Sequence, residues 1–279
     1  MTNRPLIYLV KNQEPLVLRE SERVQTACRA MGERRAGSVL VVDDQDLLVG
    51  IFTARDAVRL LGGVADAAAT PLSQAMTRNP VTTLPQGRCI DALRAMLQGG
   101  FRHVPVTKDG RILGVVSRSD LMGMEFEEYR WNNISHTLSE ANRPLSEIIE
   151  QQQPLTLFTD QTLAEACRLM SERKAGSALI TDREQRLQGI FTGRDAVRAL
   201  AKATNAAGTR LDMAMTPKPA TMSPESHAID ALRLMNDCGF RHVPVVSGGR
   251  VQGVVSRNDF TGVEIDRLDQ ENHLMERIW

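Results

Sequence analysis

Four segments of the sequence place a hydroxyl, a guanidinium and a carboxylate within four residues of one another. They are Gly50-Ile51-Phe52-Thr53-Ala54-Arg55-Asp56, Gly114-Val115-Val116-Ser117-Arg118-Ser119-Asp120, Gly189-Ile190-Phe191-Thr192-Gly193-Arg194-Asp195 and Gly253-Val254-Val255-Ser256-Arg257-Asn258-Asp259. Together these groups can hold a nucleotide. A carboxylate accepts hydrogen bonds from both ribose hydroxyls. A hydroxyl and the free N–H groups of a helix start donate to phosphate, and a guanidinium neutralises phosphate through paired hydrogen bonds. The spacing also has a second meaning. Ser or Thr followed three residues later by an acid, ahead of an apolar helix, is a capping box, worth ~1 kcal/mol to the helix with no ligand at all. The box accounts for the hydroxyl and the acid, and leaves Arg55, Arg118, Arg194 and Arg257 unexplained.

An internal repeat positions the four segments. Phe52 through Arg59 reappears as Phe191 through Arg198, and Phe101-Arg102-His103-Val104-Pro105-Val106 as Phe240-Arg241-His242-Val243-Pro244-Val245, in both cases at an offset of 139. The same shift maps Ala36-Gly37-Ser38 onto Ala175-Gly176-Ser177 and Met76-Thr77 onto Met215-Thr216, without a gap from about residue 14 to 128. Each half divides again: Gly50, Thr53 and Asp56 map onto Gly114, Ser117 and Asp120 at a shift of 64. The chain is therefore four repeats, 14–66, 71–128, 153–205 and 211–267, with a helical, polar connector over 129–152 in which Pro144 reads as a helix stop. A unit of about 55 residues is marginal alone, so the repeats are expected to pair.

Each repeat opens on a short extended run after a proline: Pro15–Leu18, Pro80–Thr83, Pro154–Leu157 and Pro219–Met222. An amphipathic helix follows, with Ile90, Leu93, Met96 and Leu97 on one face in the second repeat and Ile229, Leu232 and Met235 in the fourth. Two strands joined by a polar turn come next, Asp109-Gly110 being a hairpin signal. A second helix starts at each signature acid. The order strand, helix, strand, strand, helix predicts an α+β fold.

Composition excludes several functions. The chain has 34 Lys+Arg against 34 Asp+Glu and only 4% aromatic residues, which gives neither nucleic acid nor an anionic membrane an electrostatic or stacking footing. No apolar run approaches the ~18 residues of a spanning helix, and the N-terminal block Leu6–Val10 is too short for a secretory signal. The expected location is cytoplasmic, so the sequon at Asn133 is set aside. Cys28, Cys89, Cys167 and Cys238 stand singly and read as small buried side chains, not metal ligands. Ser171-Glu172-Arg173-Lys174 has the Ser-x-x-Lys nucleophile spacing, but its repeat partner Gly32-Glu33-Arg34-Arg35 lacks both key residues. No catalytic residue and no catalytic cofactor is expected.

The element order, the four signatures and the two Arg-His-Val-Pro strands resemble CBS domains, here arranged as two tandem Bateman modules over nearly the whole chain. The resemblance implies paired units with two ligand clefts per pair, and adenosyl ligands: AMP, ADP or ATP, with S-adenosylmethionine or another nucleotide as the alternative. It implies ribose contacts for Asp56, Asp120, Asp195 and Asp259, and phosphate contacts for Thr53, Ser117, Thr192 and Ser256. Arg55, Arg118, Arg194 and Arg257 join these, as do Arg102, His103, Arg241 and His242, which occur only in the second and fourth repeats. Strand side chains alternate, so only one of each Arg-His pair can face a given cleft. The other repeats carry Gly37-Ser38 and Gly176-Ser177 at these positions, small residues that would leave room for adenine. The expected function is a nucleotide sensor that signals to a separate effector protein. An assembly module with vestigial clefts is the alternative. A homodimer is the expected assembly, and light scattering at micromolar concentration checks it: a two-chain mass is expected, and a one-chain mass contradicts it.

Overall fold

The computed structural model describes residues 4–121 and 143–260. These divide into two compact units, residues 4–56 with 68–121 and residues 57–67 with 143–260. The sequon at Asn133 and the first part of the expected connector lie outside the described residues.

The first unit begins with a short helix, α1 (Ile7–Val10). The first repeat follows as β1 (Val17–Arg19), α2 (Val24–Glu33), β2 (Ser38–Val42), β3 (Leu48–Thr53) and the start of α3 (Ala54–Gly63). The second repeat contributes α4 (Leu72–Ala75), β4 (Thr77–Arg78), α5 (Cys89–Gly99), β5 (His103–Lys108) and β6 (Arg111–Ser117). Strands β1 to β4 form one sheet in that order, with β1 parallel to β2 and the other pairs antiparallel. β5 and β6 form an antiparallel ribbon whose turn, Asp109-Gly110, takes φ of 53° and 76°. Both values are left-handed, as the favoured two-residue hairpin requires.

The second unit repeats this plan: α6 (Leu145–Ile149), β7 (Thr156–Phe158), α7 (Leu163–Glu172), β8 (Ser177–Thr181), β9 (Leu187–Thr192), α8 (Gly193–Ala201), α9 (Leu211–Ala214), β10 (Thr216–Pro217), α10 (Ala228–Cys238), β11 (His242–Ser247) and β12 (Arg250–Ser256). A 3-10 turn, Arg257–Phe260, closes the described chain. The α+β fold expected from the repeat order is what the chain adopts. The opening runs of the second and fourth repeats are thinner than expected. Each joins its sheet through one bridge, Thr83 to Val106 and Met222 to Val245.

The connector reading changes at its C-terminal end. Pro144 does not stop a helix in the described chain; it precedes α6, where a proline needs no N–H partner. Leu145 and Ile149 are buried in an apolar cluster with Leu232, Met235, Val243 and Val255. α1 plays the same part in the first unit, where Leu6 and Val10 are buried. The 139-residue offset thus reaches back to Arg4-Pro5-Leu6 and Arg143-Pro144-Leu145. Gln13 and Gln152, at the same offset, accept hydrogen bonds from the backbone of β6 and β12 at 3.1 and 3.4 Å.

The four signature glycines share one physical reason. A Cβ on Gly50 or Gly189 would lie 2.1 or 2.3 Å from the Sδ of Met76 or Met215. A Cβ on Gly114 or Gly253 would lie 2.6 or 2.7 Å from the Cβ of Val10 or Ile149. Each glycine lets the short helix beside its strand press directly on backbone.

Two of the four cysteines fit the buried reading. Cys28 and Cys167 are buried, and burial pushes both thiols up to about 12 from 9.0. Cys89 is half-buried and Cys238 is exposed, because it sits in the last turn of α10 on the solvent face. A thiol whose folded pKa is raised adds stability that is complete below its unfolded pKa and fades as pH climbs toward the folded value. We predict a loss of stability between about pH 9 and 12 beyond that of a Cys28→Ala, Cys167→Ala variant. At pH 8 a thiol reagent should modify Cys238 in the native protein and leave Cys28 and Cys167 untouched. Rapid labelling of the buried pair in native buffer contradicts the assignment.

Candidate nucleotide site

The signature acids fall into two classes. In the first repeat the end of β3 turns into α3, and the Asp56 carboxylate folds back on that corner. One oxygen accepts the Thr53 N–H and hydroxyl, both at 2.9 Å, and the other accepts the Thr77 hydroxyl at 3.2 Å. In the third repeat Thr192 donates to Asp195 from its N–H and hydroxyl at 2.7 and 2.8 Å, Thr216 at 2.9 Å and Arg198 at 2.6 Å. Asp56 is 5% and Asp195 2% exposed, so both carboxylates are buried and occupied. A buried charge is tolerated when it is hydrogen-bonded in this way, and each acid ties a strand end, a helix start and the following β-segment together.

In the second and fourth repeats the acid is exposed. One oxygen of Asp120 accepts the Ser117 N–H at 2.8 Å, and one oxygen of Asp259 accepts the Ser256 N–H and hydroxyl at 2.6 and 2.9 Å. Among the described residues nothing donates to the second oxygen of either. The difference follows from sequence. Thr77 and Thr216 stand on the segments that pair with β3 and β9, so they reach only the acids of the first and third repeats.

The strand before each exposed acid brings in the basic residues. His103 lies directly across from Ser117, and His242 across from Ser256. Both imidazoles pack toward the preceding repeat, with Nε2 2.6 Å from where a Cβ on Gly37 would sit, and 2.5 Å for Gly176. The small residues therefore make room for these rings; the space expected for adenine at those glycines is filled by histidine.

Arg102 and Arg241 accompany the signature arginines. The Arg118 N–H donates to the Arg102 carbonyl at 2.9 Å, and the Arg257 N–H to the Arg241 carbonyl at 3.2 Å. In the second unit the guanidiniums of Arg194, Arg241 and Arg257 interact. Burial lowers the Arg241 pKa first, and the like charges of Arg194 and Arg257 lower it further. Three cations that repel one another make a place where an anion is stabilised. Thus the structure gathers Arg194, Arg241, Ser256, Arg257 and Asp259 about one strand-to-helix corner, while Thr192 and Asp195 are drawn into a cap.

Sequence reasoning missed Thr77 and Thr216 as partners of the buried acids. Their signal was the repeated Met-Thr pair. It also passed over Asn236, which differs between the halves and which accepts a hydrogen bond from Arg257. The Ser171 hydroxyl donates to the Cys167 carbonyl at 2.9 Å within α7. Among the described residues no group of three metal-ligating side chains exists, and no helix is long and apolar enough to cross a membrane.

The CBS domain model matches residues 10–63, 72–125, 145–202 and 210–265. The chain belongs to the CBS domain family. Among curated relatives, the CBS domain-containing protein CBSCBSPB5 of Arabidopsis thaliana is 27% identical over 304 residues, covering 95% of this chain and 55% of that one. The uncharacterized protein MJ1225 of Methanocaldococcus jannaschii is 23% identical over 193 residues, 69% of each chain. The chain spans about half the length of the first plant relatives it matches. The crystal structure of MJ1225 superposes with a TM-score of 0.74 at 16% identity, covering 92% of this chain and 98% of that one. A Pyrococcus horikoshii protein gives 0.53 at 16% identity, covering 92% and 97%. At these identities the likeness is one of fold, four CBS domains in two tandem pairs.

The two classes of acid should separate in stability. Asp195→Ala strands four donors from three residues at a buried corner and is predicted to destabilise the second unit by ~2–3 kcal/mol. Asp259→Ala removes an exposed cap and should cost about 1 kcal/mol or less. Denaturant titration of both variants measures this, and equal losses would contradict the division.

Proposed function

We propose that the chain is a regulatory sensor that binds adenine nucleotides at the corners of its second and fourth repeats and signals occupancy to a separate effector protein. The observation that supports this reading is the exposed acid, with one oxygen held by its own strand and no donor to the other among the described residues, beside the three arginines of the second unit. Asp120 and Asp259 would accept the ribose hydroxyls. Ser117 and Ser256 would meet phosphate, with Arg102 and Arg118 in the first half and Arg194, Arg241 and Arg257 in the second. Arg55 stands at the helix start equivalent to that of Arg194 and is assigned the same part. His103 and His242 would act as spacers between paired repeats, and Thr53, Asp56, Thr192 and Asp195 as helix caps. No reaction step is assigned. The ligand is held and read, not converted, and its reversible binding is what an effector would detect.

Specific observations favour a partial form of the assembly reading as well: Asp56 and Asp195 are already occupied, so the corners of the first and third repeats are structural. AMP, ADP or ATP is expected to bind with dissociation constants of about 1 µM to 1 mM, and guanine nucleotides several-fold more weakly. Asp120→Asn and Asp259→Asn keep the size and an acceptor but lose the charge. Each should lower nucleotide affinity at its own half about ten- to a hundredfold, while stability falls by about 1 kcal/mol or less. Calorimetry of ATP and GTP, beside melting curves, tests both statements. Wild-type affinity in the two variants, or equal heat from GTP and ATP, contradicts the proposal.

A further inference from the structure

Helix α3 (Ala54–Gly63) starts in one compact unit and continues into the other: residues up to Asp56 belong to the first, and residues 57–67 to the second. Its start is fastened to the first half, where Asp56 accepts the Thr53 N–H and hydroxyl and the Thr77 hydroxyl. Arg55 stands in its first turn. Ala57, Val58, Leu60 and Leu61 along it are buried. Within the second unit its last turn presses on α7. A Cβ on Gly62 would sit 2.6 Å from the Arg168 backbone N, and 2.9 Å from the Arg168 Cα and the Cys167 carbonyl carbon. These are backbone atoms inside a helix, which cannot swing aside as the tip of a side chain does. Gly63 is the internal control, since a Cβ there would meet nothing within 4 Å. Gly62 is not among the left-handed residues. Glycine weakens a helix relative to alanine, so the close approach to α7 is the physical reason for glycine at this position.

We propose that α3 is a strap that couples the two halves: a change at the first-repeat corner is passed along one stiff helix to the Gly62 seat on α7. Its ligand part rests on the nucleotide reading above, which puts Arg55 beside phosphate in the first half. A ligand that shifts the first turn of α3 then changes the affinity of the second half. By linkage, a ligand in the second half changes the affinity of the first by the same factor. Halves that act independently would show neither effect.

Calorimetric melting of the full chain is the first arm of the test and needs no ligand. Wild type should unfold in one transition. Gly62→Ala should lower its midpoint by about 3–8 °C, the effect of a methyl group forced against backbone. Gly62→Leu should split it in two, and if that variant does not fold, Gly62→Ala decides. Gly63→Ala and Gly63→Leu should melt within about 2 °C of wild type. Two transitions in wild type, or Gly62 variants that melt like their Gly63 counterparts, overturn the strap. The second arm titrates ATP. Asp259→Asn reports the first half, and Asp120→Asn the second. The overall constant for filling both halves of wild type should differ from the product of these two by about fivefold or more. With Gly62→Ala added throughout, that factor should fall below about twofold. No such factor in wild type, or the same factor with Gly62→Ala, overturns the coupling. If ATP binds neither half, the nucleotide reading fails and the melting arm alone judges the strap.

Discussion

A buried carboxylate whose two oxygens both already accept hydrogen bonds from the protein has little left for a ligand. This limit organises the molecule. Asp56 and Asp195 spend both oxygens on the strand end, the helix start and the threonine of the next segment, and so lock the first and third repeats onto their partners. Among the described residues Asp120 and Asp259 meet no such threonine, and they are exposed with one oxygen engaged. One four-residue pattern thus yields two fastening points and two exposed corners. All four acids cap the turn that follows their strand; what differs between the repeats is burial, and only the exposed pair is proposed to take a ligand as well.

The fastening has an electrostatic counterpart. With Asp195 buried and turned toward Thr216 and Arg198, it is engaged elsewhere and Arg241 feels Arg194 and Arg257 as its main charged neighbours. Part of the repulsion is absorbed by the C-terminal turn of α10. Like charges brought this close favour an anion beside them, which is the basis of the proposed sensing role.

Much of this was legible in the sequence. The 139-residue offset gave the halves, the strand-helix-strand-strand-helix order gave the fold, and the signatures gave the corners. What the sequence could not show was which of four equivalent acids is buried, because that depends on Thr77 and Thr216 crossing to the preceding repeat, a contact across 21 residues. The histidines were ambiguous for a similar reason. Strand alternation says that Arg and His diverge, but only the pairing of repeats puts the imidazole on Gly37 or Gly176. Pro144 carries a second meaning, because a proline that can end one helix can also precede another, and the burial of Leu145 and Ile149 shows that a helix begins after it.

The central proposal is that of the four capping signatures only the two with exposed acids take a ligand. The most direct measurement is the number of ATP molecules bound per chain at saturation, by equilibrium dialysis at known active protein concentration. The account predicts two. A value of four, with Asp56 and Asp195 variants that fold and lose sites, would contradict it.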